Sequence, residues 1–325
     1  MKDFPMIDID TIVQADHRIK SIPGLVHETP LNLSPALSEM TGVNVRLKCE
    51  HLQQTGSFKL RGATNKLMSL APETANKGVI TASSGNHGMG VALAARHTGL
   101  QATVYVPENA SGAKLSTIRQ LGAQVIKVEG DCLQSELEAG RQANITGQPF
   151  ISPYNDPGII AGQGTAGLEM LAQCPDLDAV FVSVGGGGLI SGIGSYIRQK
   201  SPGTRIIGCW PANASTMYQC LEAGRIMEVA ETDTLSDGTA GGVEPDAITF
   251  SICQNVIDDK VLVTEDEIKN AMGLAARHER FIIEGAAGVA LGGFLKKARD
   301  FQEKTVAIVL CGRNILLDKF LWAVS

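Results

Sequence analysis

Aromatic residues make up only 5% of this 325-residue chain, proline occurs 13 times, and no two cysteines have CxxC spacing. The seven cysteines, Cys49, Cys132, Cys174, Cys209, Cys220, Cys253 and Cys311, are odd in number and scattered. That pattern argues against a disulfide framework and against a zinc site. Runs of five or six like charges are also missing. With a net charge of −6, this argues against nucleic acid or an anionic membrane as a partner. No apolar stretch approaches the roughly 18 residues that a membrane span needs. The opening residues, MKDFPMIDIDTI, carry acids early instead of the basic-then-apolar layout of a signal peptide. The expectation is a soluble, reduced, cytoplasmic protein, in which the Asn-x-Ser/Thr triplets at Asn109, Asn144 and Asn213 carry no weight.

What the chain has in excess is glycine, 36 residues that cluster. Clustered glycine marks tight turns and places where backbone approaches a ligand. The composition, 44% apolar and 19% charged, supports a sizeable core, and the length exceeds what one core usually organises, so two lobes are expected. Short β-branched runs alternate with helical patterns from about residue 44 onward. The strands read as Val45–Cys49, Val79–Ala82, Thr103–Val106, Val125–Val128, Ala179–Val184, Arg205–Gly208, Val261–Val263 and Thr305–Leu310. Helical stretches such as Gly88–Thr98, Leu189–Lys200 and Glu265–Arg280 lie between them. Such alternation builds mainly parallel sheet covered by helices, an α/β fold. Cys220–Thr249 is the longest irregular stretch and reads as a loop bordering a site.

Four motifs carry chemistry. The strand ending at Val184 runs into four glycines, Gly185 to Gly188, and then into a helix starting near Leu189. Glycine admits a ligand close to the backbone, and the free N–H groups of a helix start favour an anion, so this segment reads as a phosphate cradle. A P-loop is excluded because no Gly-Lys-Ser/Thr follows. Gly162-Gln-Gly-Thr-Ala-Gly167 matches GxGxxG, but no convincing strand precedes it, and the glycine run stands where a ribose-binding acid belongs. Its glycines read as close helix packing. Ser57-Phe-Lys-Leu-Arg-Gly-Ala63 puts Lys59 beside Phe58, between a strand and a helix; a lysine desolvated there is a usable amine nucleophile. Ser83-Ser-Gly-Asn-His-Gly88 follows a strand and opens a helix, forming a second anion nest suited to a carboxylate. Cys311-Gly-Arg-Asn314 ends the last strand, at the same sheet edge as the others.

In type, order and spacing these motifs resemble those of the serine/threonine dehydratases and serine racemases, fold-type II pyridoxal-phosphate enzymes of the tryptophan synthase β kind. The similarity runs from His27-Glu-Thr-Pro-Leu to the C-terminal helix. It implies two open, twisted, mainly parallel sheets flanked by helices. Residues 1–77 and 152–325 would form a large cofactor-binding domain, and residues 78–151 a small, mobile one. It also implies roles. Lys59 holds pyridoxal 5'-phosphate as a Schiff base and, once displaced, serves as the Cα base. Phe58 packs beside the ring and Asn86 bonds the ring hydroxyl. Gly185, Gly186, Gly187, Gly188 and Leu189 hold the phosphate, and Cys311 faces the pyridine nitrogen. Ser83, Ser84, Gly85, Asn86 and His87 receive the substrate carboxylate, with Ser84 placed as the second acid/base of a racemase. The implied activity is α,β-elimination on an L-3-hydroxy amino acid, giving a 2-oxo acid and ammonia, in a homodimer or higher homo-oligomer. Racemisation, β-replacement and a non-catalytic, anion-binding regulatory role are the alternatives. With the chain ending at Ser325, no C-terminal regulatory domain is expected, which favours a catabolic role.

The chain departs from that family pattern in three places. Trp210 and Thr216 stand where family members that bind a structural divalent cation place acids, so no metal is expected. Arg313 replaces a glycine of the last motif, and a guanidinium there offers a contact for a substrate side chain. Segments Ser236–Gly242 and Glu284–Gly288 are glycine-rich and suggest room for a bulkier substrate.

Overall fold

The computed structural model describes residues 6–130 and 132–325; the first five residues, part of the stretch read against a signal peptide, lie outside it. In chain order the strands are β1 (Leu31–Leu33), β2 (Asn44–Lys48), β3 (Val79–Ala82), β4 (Ala102–Pro107), β5 (Gln124–Val128), β6 (Ala179–Ser183), β7 (Arg205–Pro211), β8 (Asp259–Val263) and β9 (Thr305–Val309). They form a six-stranded sheet of order β1-β2-β9-β6-β7-β8 and a three-stranded sheet of order β3-β4-β5. Only β1 runs antiparallel to its neighbour among the described strands. Parallel strands covered on both faces need continuous apolar runs, and β3 (Val-Ile-Thr-Ala) and β6 (Ala-Val-Phe-Val-Ser) are buried at every position. Phe181 at the centre of β6 meets Phe294 and Phe301 edge-on, with ring centroids 5.5 and 5.4 Å away.

The sequence reading located every strand except β1, which has three residues and only Leu31 buried. The stretch Cys220–Thr249 is shorter as a loop than expected, because helices Thr216–Ala223 and Ile248–Val256 take its two ends. The helix expected over Glu265–Arg280 is regular to Leu274 and then widens into a π turn that Arg280 closes at φ 63°. The GxGxxG glycines sit inside the helix Pro157–Gln173, as close packing requires. A Cβ on Gly162 would lie 2.6 Å from Gly62 Cα, and one on Gly164 3.0 Å from Gly192 O. No described helix is long and apolar enough to cross a membrane.

The smaller sheet has a core distinct from that of the six-stranded sheet, and it takes in two helices. Val79, Val104 and Val106 pack with Val91 and Ala95 of the helix Asn86–Thr98 and with Leu60, Ala63 and Leu67 of the helix Lys59–Met68. That second helix is pinned from below by charge. Arg61 Nε and Nη2 reach Glu50 at 2.7 and 2.8 Å, its Nη1 and Nη2 each reach Glu169 at 2.7 Å, and Lys48 Nζ reaches Glu169 at 2.5 Å. All four side chains are essentially without solvent contact. Burial alone would raise the Glu50 carboxyl, but the Arg61 guanidinium holds it well below the usual range. Two cations and two anions thus neutralise one another inside the protein.

Candidate active site

The carboxyl ends of β3, β4, β6 and β9 open on one cavity of about 350 Å³. That is where open α/β sheets place ligands, and the volume suits a small cofactor with its substrate. Its walls include Phe58, Lys59, Ser83, Ser84, Gly85, Asn86, His87, Gly185, Gly186, Gly187, Gly188, Leu189 and Cys311, so four segments far apart in sequence meet at one place.

Lys59 is the first residue of its helix, and its Nζ donates to Pro153 O at 2.8 Å. Burial pushes the amine down to about 8, against the opposing pull of Cys311 and Glu284. A cation at a helix N-terminus is disfavoured in the same sense. The Nζ atom lies 5.2 Å from the Phe58 ring centroid. Phe58 N donates to Cys311 O at 3.1 Å, and Ser57 bridges Gly312 in antiparallel fashion. The lysine segment and the cysteine segment are therefore fastened to each other by backbone.

The glycine run ends β6 and opens the helix Gly188–Lys200, whose first-turn N–H groups lack helical partners. Gly187 caps the helix at φ +87°, a left-handed backbone. A Cβ on Gly186 would lie 2.6 Å from the ring of Tyr154. Tyr154 follows Pro153, which holds Lys59, and its hydroxyl accepts from Glu244 N at 2.9 Å.

The Ser83–Gly85 turn leads into the helix Asn86–Thr98, so its free N–H groups also border the cavity. Ser83 Oγ accepts from Gly85 N at 3.2 Å. Asn86 Nδ2 donates to Glu284 Oε1 at 2.8 Å, and Asn86 Oδ1 accepts from Asn314 Nδ2 at 2.6 Å. Glu284 Oε2 accepts from Asn314 N at 3.0 Å. Burial pushes the Glu284 carboxyl up to about 7, helped by Asp237 and opposed by the hydrogen bond from Asn86. Sequence reasoning missed this acid. Its signal was a lone charge after the apolar Phe281-Ile-Ile and before the helix Gly285–Lys297.

The surroundings of His87 and Arg313 bear on the contacts expected of them. Burial pushes the His87 imidazole down to about 3, with Lys59 adding to the effect, so the ring is neutral. Its Nε2 lies 2.9 Å from Ile151 O and must carry the proton, which leaves Nδ1 a bare acceptor. A side chain in that state repels a carboxylate, so only the His87 backbone N–H suits the expected contact. Arg313 is exposed and does not line the cavity; it borders a second, shallower hollow with His51 and Arg280. The strand-ending backbone turns it outward, its N donating to Gly56 O at 2.9 Å. Besides Lys59, a second lysine that borders the main cavity is Lys114, 3.3 Å from Asp237.

Residues 22–312 match the family model described as "Pyridoxal-phosphate dependent enzyme". The chain belongs to that family. Within it, the enzyme is 42% identical over 311 residues to an L-threonine ammonia-lyase of Thermotoga maritima, covering 95% of this chain and 76% of that one. It is 36% identical to a β-hydroxyaspartate dehydratase of Paracoccus denitrificans, with 96% and 98% covered. Among solved structures, serine racemase of Dictyostelium discoideum superposes with a TM-score of 0.89 at 35% identity, covering 96% of this chain and 99% of that one. The fold is thus the fold-type II architecture expected of the chain.

The cavity of this pyridoxal-phosphate enzyme fits its cofactor on chemical grounds. A buried amine of lowered basicity is available to a carbonyl, and the glycine run leaves space that any Cβ would fill. At the end of β7 and just after it, Trp210 and Thr216 stand where charged oxygen ligands for a divalent cation would be needed. Trp210 is buried there with its ring against Tyr218, and Thr216 Oγ1 donates to Glu231. No group of three or more metal-binding side chains occurs among the described residues.

Proposed function

We propose that this enzyme is an ammonia-lyase, a dehydratase that removes water from an L-3-hydroxy amino acid and yields a 2-oxo acid and ammonia. The observation that carries the reading is Lys59: a buried amine, shifted to about 8, in one cavity with two helix-start anion nests. Bound pyridoxal phosphate supplies a carbonyl for the substrate amino group and an electron-withdrawing ring that acidifies the Cα–H bond. Lys59 would hold that group and, once released, take the Cα proton. Gly185 to Gly188 and Leu189 would bind the phosphate with backbone N–H groups, and Phe58 would pack on the ring. Asn86, fixed by Glu284 and Asn314, would present its amide to the ring hydroxyl. Ser83, Ser84 and Gly85, with the backbone of Asn86 and His87, would receive the substrate carboxylate.

Burial pushes the Cys311 thiol up to about 12, so it stays protonated and is only a weak donor to the pyridine nitrogen. A weak donor leaves that nitrogen largely uncharged, which favours prompt loss of the β-hydroxyl over longer-lived carbanion chemistry. The likeness to a threonine ammonia-lyase supports threonine or serine as substrate, and the likeness to a β-hydroxyaspartate dehydratase supports a bulkier 3-hydroxy amino acid. Racemisation is the second reading, because the Ser84 hydroxyl borders the same cavity and the fold matches a serine racemase. We take residues 78–151 as one lobe and residues 1–77 with 152–325 as the other, in a cytoplasmic homodimer or higher homo-oligomer.

The test is an absorbance spectrum before and after borohydride, followed by a panel of 3-hydroxy amino acids. A band in the near ultraviolet or blue that borohydride removes, and that Lys59→Ala lacks, is expected. Oxo-acid release is expected from at least one L-3-hydroxy amino acid. A colourless protein that does not take up pyridoxal phosphate would sink the reading, and inverted residual substrate without oxo acid would give the second one precedence.

A further inference from the structure

Cys311 does not enter the cavity alone. Ser183, the last residue of β6, and Cys311, just beyond β9, stand at the same edge of two neighbouring parallel strands. The Ser183 Oγ–H donates to Cys311 Sγ at 3.4 Å, within hydrogen-bond range for sulfur, and both residues are buried while lining the cavity. A sulfur that accepts a hydrogen bond has a lone pair engaged on that side. Its own S–H must then point elsewhere, and hydrogen bonds in a chain polarise one another, so the thiol becomes a better donor. The Cys311 backbone is held by its carbonyl accepting from Phe58 N, and its side chain packs in the core. Among the described hydrogen bonds, the one from Ser183 reaches the sulfur from another side chain.

We propose that Ser183 is a positioning residue: its hydroxyl orients the Cys311 thiol toward the pyridine nitrogen of the cofactor and strengthens it as a donor. The inference rests on the cofactor reading of this site. It adds a two-residue unit, hydroxyl to sulfur to ring, in which Ser183 touches neither substrate nor ring and acts through Cys311. A serine at the end of an otherwise apolar strand thereby acquires a purpose, since a buried hydroxyl without a partner is costly.

The experiment is a double-mutant cycle on the holoenzyme with Ser183→Ala, Cys311→Ala and the double variant, and with Ser183→Thr as the hydroxyl-retaining control. Two quantities are read: the dissociation constant for pyridoxal phosphate, and the wavelength of the bound-cofactor band as pH is varied. Ser183→Ala is expected to weaken cofactor binding roughly three- to tenfold, as loss of one hydrogen bond does, and to displace the band. In the Cys311→Ala background the same substitution should change neither quantity, and Ser183→Thr should retain the parent band. Equal effects of Ser183→Ala in both backgrounds, or no effect in the parent, would overturn the proposal while leaving the cofactor reading intact. A parent chain that takes up no pyridoxal phosphate would bring down that reading and this inference with it.

Discussion

Lys59 shows how one side chain's environment sets a pH dependence. Its amine has a folded-state value near 8, below the ordinary 10.5, because burial opposes the charged form. Cofactor capture needs the neutral amine, so the rate at which the cofactor-free enzyme takes up pyridoxal phosphate should rise with pH and level off above about 8. Stopped-flow absorbance from pH 6.5 to 9.5 would show this; a rate flat across that range would contradict it. The sign for stability follows from the same shift. Below about 8 the cofactor-free fold carries the full penalty of a buried ammonium, and the penalty fades as pH climbs toward 10.5. Glu284 runs the other way. Its value is raised, so the fold prefers the protonated acid, and this group's contribution to stability falls as pH rises from about 4.5 to 7.

At the scale of elements, the glycine run and the helix behind it form one device. Tyr154 fills the space beneath Gly186, so Gly186→Ala must push the ring or the loop aside. The expected outcome is a folded protein whose affinity for pyridoxal phosphate falls at least about tenfold, measured by equilibrium dialysis. Unchanged affinity would mean that the loop is not the cradle. The elements around this device were mostly legible in the sequence. Long apolar runs such as Ala179–Val184 announce buried parallel strands, and the glycine run marks the turn proposed here as the phosphate cradle. What stayed hidden depended on tertiary placement. Three residues of β1 carry no periodicity, Arg313 turns outward with the backbone after β9, and the tautomer of His87 is set by Ile151 O, 64 residues away. Glu284 was unreadable as a site residue until its helix was set against Asn86 and Asn314.

At the scale of the molecule, several large apolar side chains remain open to water. Leu316, Leu317, Leu321 and Trp322 near the C-terminus are 49 to 61% exposed, and Met40 and Ile282 are comparably bare. Such exposure is costly in an isolated chain and supports self-association. Sedimentation at micromolar concentration should show a species at least twice the 34.3 kDa of one chain, and Leu321→Glu with Trp322→Glu should shift it toward the monomer. A monomer in the parent protein would refute the proposed assembly.

The buried quartet of Lys48, Glu50, Arg61 and Glu169 has a consequence for mutational tolerance. No member can be replaced alone by a neutral residue without stranding an opposite charge away from water, whereas exchanges that remove one cation and one anion together leave the interior neutral. In a saturation library these positions would look as intolerant as Lys59 when varied singly. Only pairwise libraries would separate them, because compensated doubles would survive at the quartet and none would survive at the lysine. An invariant arginine two residues from the amine proposed to hold the cofactor would then mark the architecture beneath the chemistry.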